Sequence, residues 1–336
     1  MELWKNIVKT IQENYGYEKD LLQNTYRRGD MSIKNLPTLK EKKAYNEKLY
    51  QELDNNNQID LSYFYQDEWA EIYREMSKKN GYKEYVDDES AIIEEHIDDF
   101  TDMIRDNTTL VDIGCGEWEK IIELAKKNES DTCEYIGTDI SISNLFWLWN
   151  TKSNINNSFL WKMSCLVQNF DDLSVLREKK GKTIFVLGGS LGNIAKDKQL
   201  KFLQDIGNTL HTGEKCVFST FLDTEDEQKM KASYENEEVK TRFMNWLKKL
   251  WFDTTTVGYE VEYKDNVVHI YAVCKQDQNN ISLWEKKLSK KTGEKILLAR
   301  SQRFSDKEIV DMIHKAWLYL EKSYKKWSSW MYVVSK

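Results

Sequence analysis

The chain has 336 residues, a formal net charge of −7 and an apolar fraction of 40%. That length holds one large α/β domain or a catalytic domain with a smaller attached unit, and the apolar fraction supplies a sizeable core, so a folded chain rather than a disordered one is expected. An acidic balance repels phosphate backbones, and no apolar run approaches the ~20 residues that cross a bilayer, so neither nucleic acid nor membrane is expected as a partner. The cysteines Cys115, Cys133, Cys165, Cys216 and Cys274 form no CxxC pair, and the histidines stand singly. Free thiols in a reducing compartment, no metal and a cytoplasmic location are the expectation, since Met1 to Lys5 opens a charged amphipathic stretch rather than a signal peptide.

In chain order, residues 1–57 read as a charge-rich helical extension, with the single proline, Pro37, in a polar stretch and Asn55-Asn56-Asn57 as a break. Tyr63-Phe64-Tyr65 follow, and then Ile92, Ile93, His96, Ile97, Phe100, Met103 and Ile104 make one stripe of an amphipathic helix. From Leu110 short apolar runs alternate with helices. Leu110–Ile113, Tyr135–Thr138, Thr183–Leu187 and Lys215–Phe221 read as strands, with helices at 119–127 and 196–210. Such alternation implies crossover connections and a parallel sheet.

Beyond residue 222 the texture is β-rich. Gly258–Tyr263 and Val267–Cys274 read as a hairpin around Lys264-Asp265, and Ile281–Leu288 with Lys295–Ala299 as a second pair turning at Thr292-Gly293. Ser305 and Glu308 make a capping box for a helix through Leu320, with Lys322, Lys325 and Lys326 at its solvated end. Trp330–Val334 closes the chain as a strand. The expected division is an extension (1–57), a core (58–225 with 305–336) and a β-rich insertion (226–304).

The strongest local signal is Leu110-Val111-Asp112-Ile113-Gly114-Cys115-Gly116-Glu117, a strand running into a Gly-x-Gly turn before a helix. Glycines let a loop pass close beside a ligand. A dinucleotide site uses a third glycine to seat a pyrophosphate, but here Glu117, Trp118, Glu119 and Lys120 follow, which suits a ligand without phosphates. S-adenosylmethionine (SAM) is such a ligand. Asp139 ends the next strand, where a carboxylate either holds both ribose hydroxyls or caps the following helix.

The sequence resembles the histidine-specific N-alpha-methyltransferases of ergothioneine biosynthesis and their relatives. The resemblance rests on Tyr63-Phe64-Tyr65-Gln66-Asp67 with Tyr82, on Gly114 to Lys120, on Gly188-Gly189-Ser190-Leu191-Gly192-Asn193, and on Ser233-Tyr234. It implies a Rossmann-like class I SAM-dependent methyltransferase core, α/β in class, with a smaller α+β substrate-binding domain. It further implies that Gly114, Cys115, Gly116, Lys120, Asp139, Gly189 and Ser190 line the cofactor, with Asn169-Phe170 where the family carries Asp-Phe beside the adenine. Asn193 and Tyr234 would hold the substrate carboxylate, and Tyr65 and Tyr82 would orient the reacting amine.

One departure concerns specificity. Where the family reads histidine with Glu-x-Ser ahead of a basic-aromatic pair, this chain has Ala299-Arg300-Ser301-Gln302-Arg303-Phe304. Ser301 is kept and the acid is replaced by Ala299, so an imidazole N–H would be left unpaired, at a cost of about 1–3 kcal/mol. The expected reaction is methylation of the α-amino group of a free amino acid other than histidine, apolar or aromatic, with repeated transfer to a betaine as one outcome. A monomer or homodimer is expected. A non-catalytic SAM-binding partner and a methyltransferase of another small-molecule class stay open at this point.

Overall fold

The computed structural model describes residues 18–20, 25–28, 31–34, 39–65, 83–105, 109–116, 120–121, 124, 134–142, 144–145, 148, 162–167, 173–223, 226–283 and 286–336. Three short strands come first: β1 (Glu18–Asp20), β2 (Thr25–Arg28) and β3 (Met31–Lys34). The parallel centre is β4 (Thr109–Ile113), β5 (Glu134–Asp139), β6 (Lys162–Val167), β7 (Lys182–Val186) and β8 (Lys215–Phe221). A smaller set follows: β9 (Val257–Lys264), β10 (Val267–Cys274), β11 (Gln278–Leu283), β12 (Lys286–Lys290) and β13 (Lys295–Gln302). The chain ends on β14 (Tyr319–Lys326) and β15 (Ser329–Ser335).

One sheet of ten strands takes the order β1-β2-β3-β6-β5-β4-β7-β8-β15-β14. From β3 to β8 it is parallel, and β15 inserts antiparallel between β8 and β14. The central strands are apolar on both faces because both are covered, as parallel sheets require. Alternation sends successive residues to opposite sides. Leu110, Phe185, Met331 and Val333 join one core with Ile92, Ile93, Phe100 and Ile104. Val111, Ile184, Tyr332 and Val334 join another with Leu203, Ile206, Ile309 and Ile313. Helices Lys83–Glu95 and Ile97–Arg105 thus cover one face, and Lys196–Thr209 and Asp306–Lys315 the other.

A third core belongs to the smaller unit. There the sheet β13-β10-β9 packs with helices Leu39–Asn56, Glu227–Glu235 and Glu237–Lys249 through Leu53, Phe64, Tyr234, Phe243, Trp246 and Leu298. Residues 57–59 run along β13, with Ile59 N–H donating to Leu297 O and Leu297 N–H to Asn57 O.

Several expectations change. The extension is not uniformly helical: β3 pairs parallel with β6 and widens the large sheet, while Leu39–Asn56 packs on the smaller unit. The stripe from Ile92 to Ile104 spans two helices that meet at His96. β13 pairs with β10, not with the 281–288 segment, which is itself the hairpin β11–β12. The capping box at Ser305 forms, but its helix stops at Lys315. Trp317 has φ +60, a conformation a helix cannot continue through, so the lysines Lys322, Lys325 and Lys326 lie on β14. Among the described residues no helix is long and apolar enough to cross a membrane.

Candidate active site

From β4 the sheet builds outward through β5 and β6 on one side, and through β7 and β8 on the other. At such a reversal the loops leaving the strands' carboxyl ends diverge and open a crevice for a ligand. The turn after β4 is Gly114-Cys115-Gly116, and the segment after β7 runs from Leu187 into the four-residue helix Ser190–Asn193.

The first turn is fixed from below. The N–H groups of Gly114 and Cys115 both donate to Thr138 O, at 2.8 and 3.0 Å. Gly116 has φ +49, and among the described residues the nearest atom to where its Cβ would stand is Gly114 O at 3.9 Å. Cys115 turns inward and is buried beside Gly137, and burial raises its thiol well above the usual range. It therefore gives the site its backbone, not its sulfur.

Lys120 follows in the next helix and pairs with Glu89, a buried carboxylate on helix Lys83–Glu95. The other oxygen of Glu89 accepts the N–H of Gly188 at 2.7 Å. One side chain thus ties together the lead-in helix, the β4 loop and the β7 loop. Desolvation lowers Lys120 below the usual lysine range, to about 8. Glu89 was not among the residues singled out from the sequence. Its signal was there: it precedes Ile92 and Ile93 by three and four residues, on the buried stripe.

Asp139 closes the crevice from β5. Its carboxylate accepts from Gly116 N (3.0 Å), Ser141 N (2.7 Å) and Asn144 Nδ2 (3.4 Å). Burial pushes its pKa up and these donors pull it back. Of the two roles read from the sequence, the structure gives Asp139 the one of ordering the chain after β5, and it adds a hold on the glycine turn. Beneath, Asp112 accepts from Tyr135 Oη at 3.0 Å, and burial raises it to about 7.

On the far side of the β7 loop, Ser190 Oγ donates to Leu187 O (2.9 Å) and Gly189 N to Ser219 Oγ (3.1 Å). The short helix then lies against β13. A Cβ on Gly192 would stand 2.7 Å from Gln302 O, so only glycine permits this approach. Gln199 Nε2 braces the contact, donating to Gln302 Oε1 at 2.9 Å and to Ile194 O at 3.1 Å. Asn193, half-buried, ends the helix next to this seam.

Strand alternation puts Ala299, Ser301 and Arg303 on one face of the β13 segment. Ala299 and Ser301 are both buried, paired with Ile270 and Val268 of β10. Tyr234 reaches the same face from helix Glu227–Glu235, its hydroxyl accepting from Arg303 Nη2 at 3.2 Å. Tyr234 thus meets the face of Ala299 and Ser301 through Arg303, and Gly192 brings the neighbouring Asn193 to the same segment. Tyr65, at the end of the 3-10 helix Leu61–Tyr65, is half-buried with the Arg242 guanidinium 5.9 Å from its ring centroid. Tyr82, Asn169 and Phe170 lie outside the described residues.

The cofactor read from the sequence fits what is present. The glycine turn at Gly116, one half-buried cation at Lys120 and one buried carboxylate at Asp139 match a nucleoside with a zwitterionic tail. With its strand order and the antiparallel β15 inserted beside β8, the fold is that of a class I SAM-dependent methyltransferase. The family model for SAM-dependent histidine-specific methyltransferases matches residues 45–335, and the chain belongs to that family.

Among solved structures, the chain is similar to a SAM-dependent methyltransferase from Clostridium acetobutylicum ATCC 824, with 17% identity, 80% of this chain and 97% of that one covered, and a TM-score of 0.44. It is also similar to the magnesium protoporphyrin IX methyltransferase of Synechocystis PCC 6803 with bound SAH, at 10% identity, 82% and 97% coverage and a TM-score of 0.48. No curated protein sequence matches the chain.

Proposed function

We propose that this methyltransferase acts on the α-amino nitrogen of a free amino acid other than histidine, with an apolar or aromatic side chain. Residues 226–304 serve as its substrate-binding insertion. The observation that carries this reading is the buried face of β13, where Ala299 stands two residues from Ser301 and joins an apolar core with Tyr234, Phe64 and Phe243.

When bound, SAM would supply an electrophilic methyl group on a sulfonium, whose sulfur would leave as a neutral thioether as the amine took the methyl. The chain's task is to bring a neutral amine to that carbon and hold it there, which is catalysis by proximity. Asn193 and Tyr234 hold the carboxylate, while Lys120 and Asp139 grip the two ends of the cofactor. Tyr65 and Tyr82 orient the amine, and a hydroxyl or ordered water takes its proton. Their ring faces stabilise the ammonium that builds up over successive transfers, by roughly 0.5–2 kcal/mol each. Burying an imidazole against Ala299 would strand one N–H, whereas an apolar side chain has no such need.

The test is a methyl-release assay with wild-type protein and Ala299→Glu. The wild type should prefer an amino acid other than histidine. The variant should gain activity on histidine relative to that preferred substrate by tenfold or more. A wild-type enzyme that methylates histidine best would overturn the specificity assigned to Ala299.

A further inference from the structure

Arg303 sits two residues beyond Ser301 and is buried without measurable exposure. Its backbone N–H donates to Asn266 O at 2.7 Å, which prolongs the ladder between β10 and β13 and fixes the direction of the side chain. The guanidinium carbon lies 4.9 Å from the Phe221 ring centroid and 6.0 Å from that of Tyr234. Two aromatic faces thus flank a cation that keeps its proton at any physiological pH. Nη2 donates to the Tyr234 hydroxyl at 3.2 Å.

That contact has a direction. A guanidinium has donors and no acceptor, so the tyrosine oxygen must be the acceptor. The Tyr234 proton is then turned away from Arg303, and among the described residues no acceptor takes it. The hydroxyl is left as a donor aimed elsewhere, with a fixed positive charge behind it. Such a group favours an anion and disfavours an ammonium.

We infer that Arg303 is a positioning residue that sets the Tyr234 hydroxyl as a donor to the substrate carboxylate, and so decides which end of a zwitterionic amino acid enters first. This rests on the reading that Tyr234 and Asn193 hold that carboxylate. The guanidinium acts through the tyrosine and needs no contact with the substrate. The carboxylate docks toward β13, which leaves the amino nitrogen facing the glycine turn after β4. Losing the charge should weaken carboxylate recognition while leaving the cofactor side intact, because Arg303 touches neither Lys120 nor Asp139 among the contacts described.

The test uses full-length protein and the best acceptor from a methyl-release panel of the twenty proteinogenic amino acids, together with the carboxamide of that acceptor. Arg303→Gln and Tyr234→Phe should each raise KM for the amino acid at least tenfold, with kcat within threefold and SAM affinity by calorimetry within twofold. The preference for the amino acid over its carboxamide should fall at least tenfold in Arg303→Gln. The double variant should be no worse than either single one, because both remove the same donor. If Arg303→Gln fails to bind SAM, Arg303→Lys decides. Its shorter head falls short of the hydroxyl, so a KM rise of threefold or more with SAM affinity kept is expected, and an unchanged KM overturns the inference. A raised KM in Tyr234→Phe beside an unchanged carboxamide preference in Arg303→Gln rejects the role of Arg303 alone. An unchanged KM in Tyr234→Phe, or no acceptor in the panel, rejects the underlying carboxylate reading.

Discussion

Gly192→Ala tests whether the approach of the short helix Ser190–Asn193 to β13 builds the substrate site. The added methyl would stand 2.7 Å from Gln302 O, about 0.7 Å inside the 3.4 Å at which ordinary contact begins. Gln302 cannot easily retreat, because its backbone is in register with Val267 and its side chain is held by Gln199. The helix must therefore move, and Asn193 with it. Overpacking of this kind costs about 1–3 kcal/mol, and the better helix propensity of alanine returns up to ~1 kcal/mol of it. Net stability should fall by no more than about 3 kcal/mol. A shift approaching 1 Å at a positioning residue can cost about a hundredfold in rate. The expected result is a small change in the urea midpoint beside a drop of tenfold or more in kcat/KM for the amino acid. Wild-type kcat/KM in this variant would refute the reasoning, since the close approach would then have no bearing on substrate geometry.

Three further outcomes follow from the same contacts. Asp112→Asn should alter the pH dependence of stability. Burial raises the folded pKa of Asp112 from 3.8 to about 7, so the native chain keeps a proton that the unfolded chain releases. The stabilisation is complete below pH 4 and is lost as pH rises through about 7. From pH 5 to pH 8 the variant should gain up to about 3 kcal/mol relative to wild type, measured by urea unfolding at each pH. Glu89→Gln removes the charge partner of Lys120 while keeping an acceptor for Gly188 N–H; SAM affinity by calorimetry should change fivefold or more, and an unchanged value would remove Glu89 from the cofactor site. Glu214→Ala leaves the buried Lys182 ammonium without the carboxylate that lies 2.5 Å away, and should cost about 3–5 kcal/mol in urea unfolding.

The local elements with strong pattern were legible in the sequence. Lys215–Phe221 forms a strand with the bounds its apolar run implies. The β9–β10 hairpin turns at Asp265 and Asn266, which have φ of +53 and +60, as a tight two-residue turn demands. Ser305 and Glu308 make the expected capping box. The glycine turn after β4 was legible because its strand, its glycines and its following helix all agree.

What was hidden depends on partners distant in sequence. β6 reads Lys-Met-Ser-Cys-Leu-Val, too short and mixed to announce a central strand, yet it is paired on both sides. β14 is rich in lysine and exposed, and reads as a helix end because an edge strand needs little apolar alternation. Its charges also guard the open edge of the sheet. Pairing of β13 with β10 across an intervening hairpin has no local signature. Glu89 went unmarked, and Arg303 was read only as part of a motif, for a related reason. A buried charge gains its meaning from its partners, Lys120 and Gly188 for one, Tyr234 and Phe221 for the other. Periodicity alone places both on buried faces and says nothing of those partners.

The most direct measurement is mass spectrometry of an equimolar mixture of the twenty amino acids after incubation with the protein and SAM. One amino acid other than histidine should gain whole methyl increments on its α-nitrogen, and Asn193→Ala should abolish that gain while still binding SAM. Methyl transfer to histidine alone, or to none of the twenty, would contradict the account.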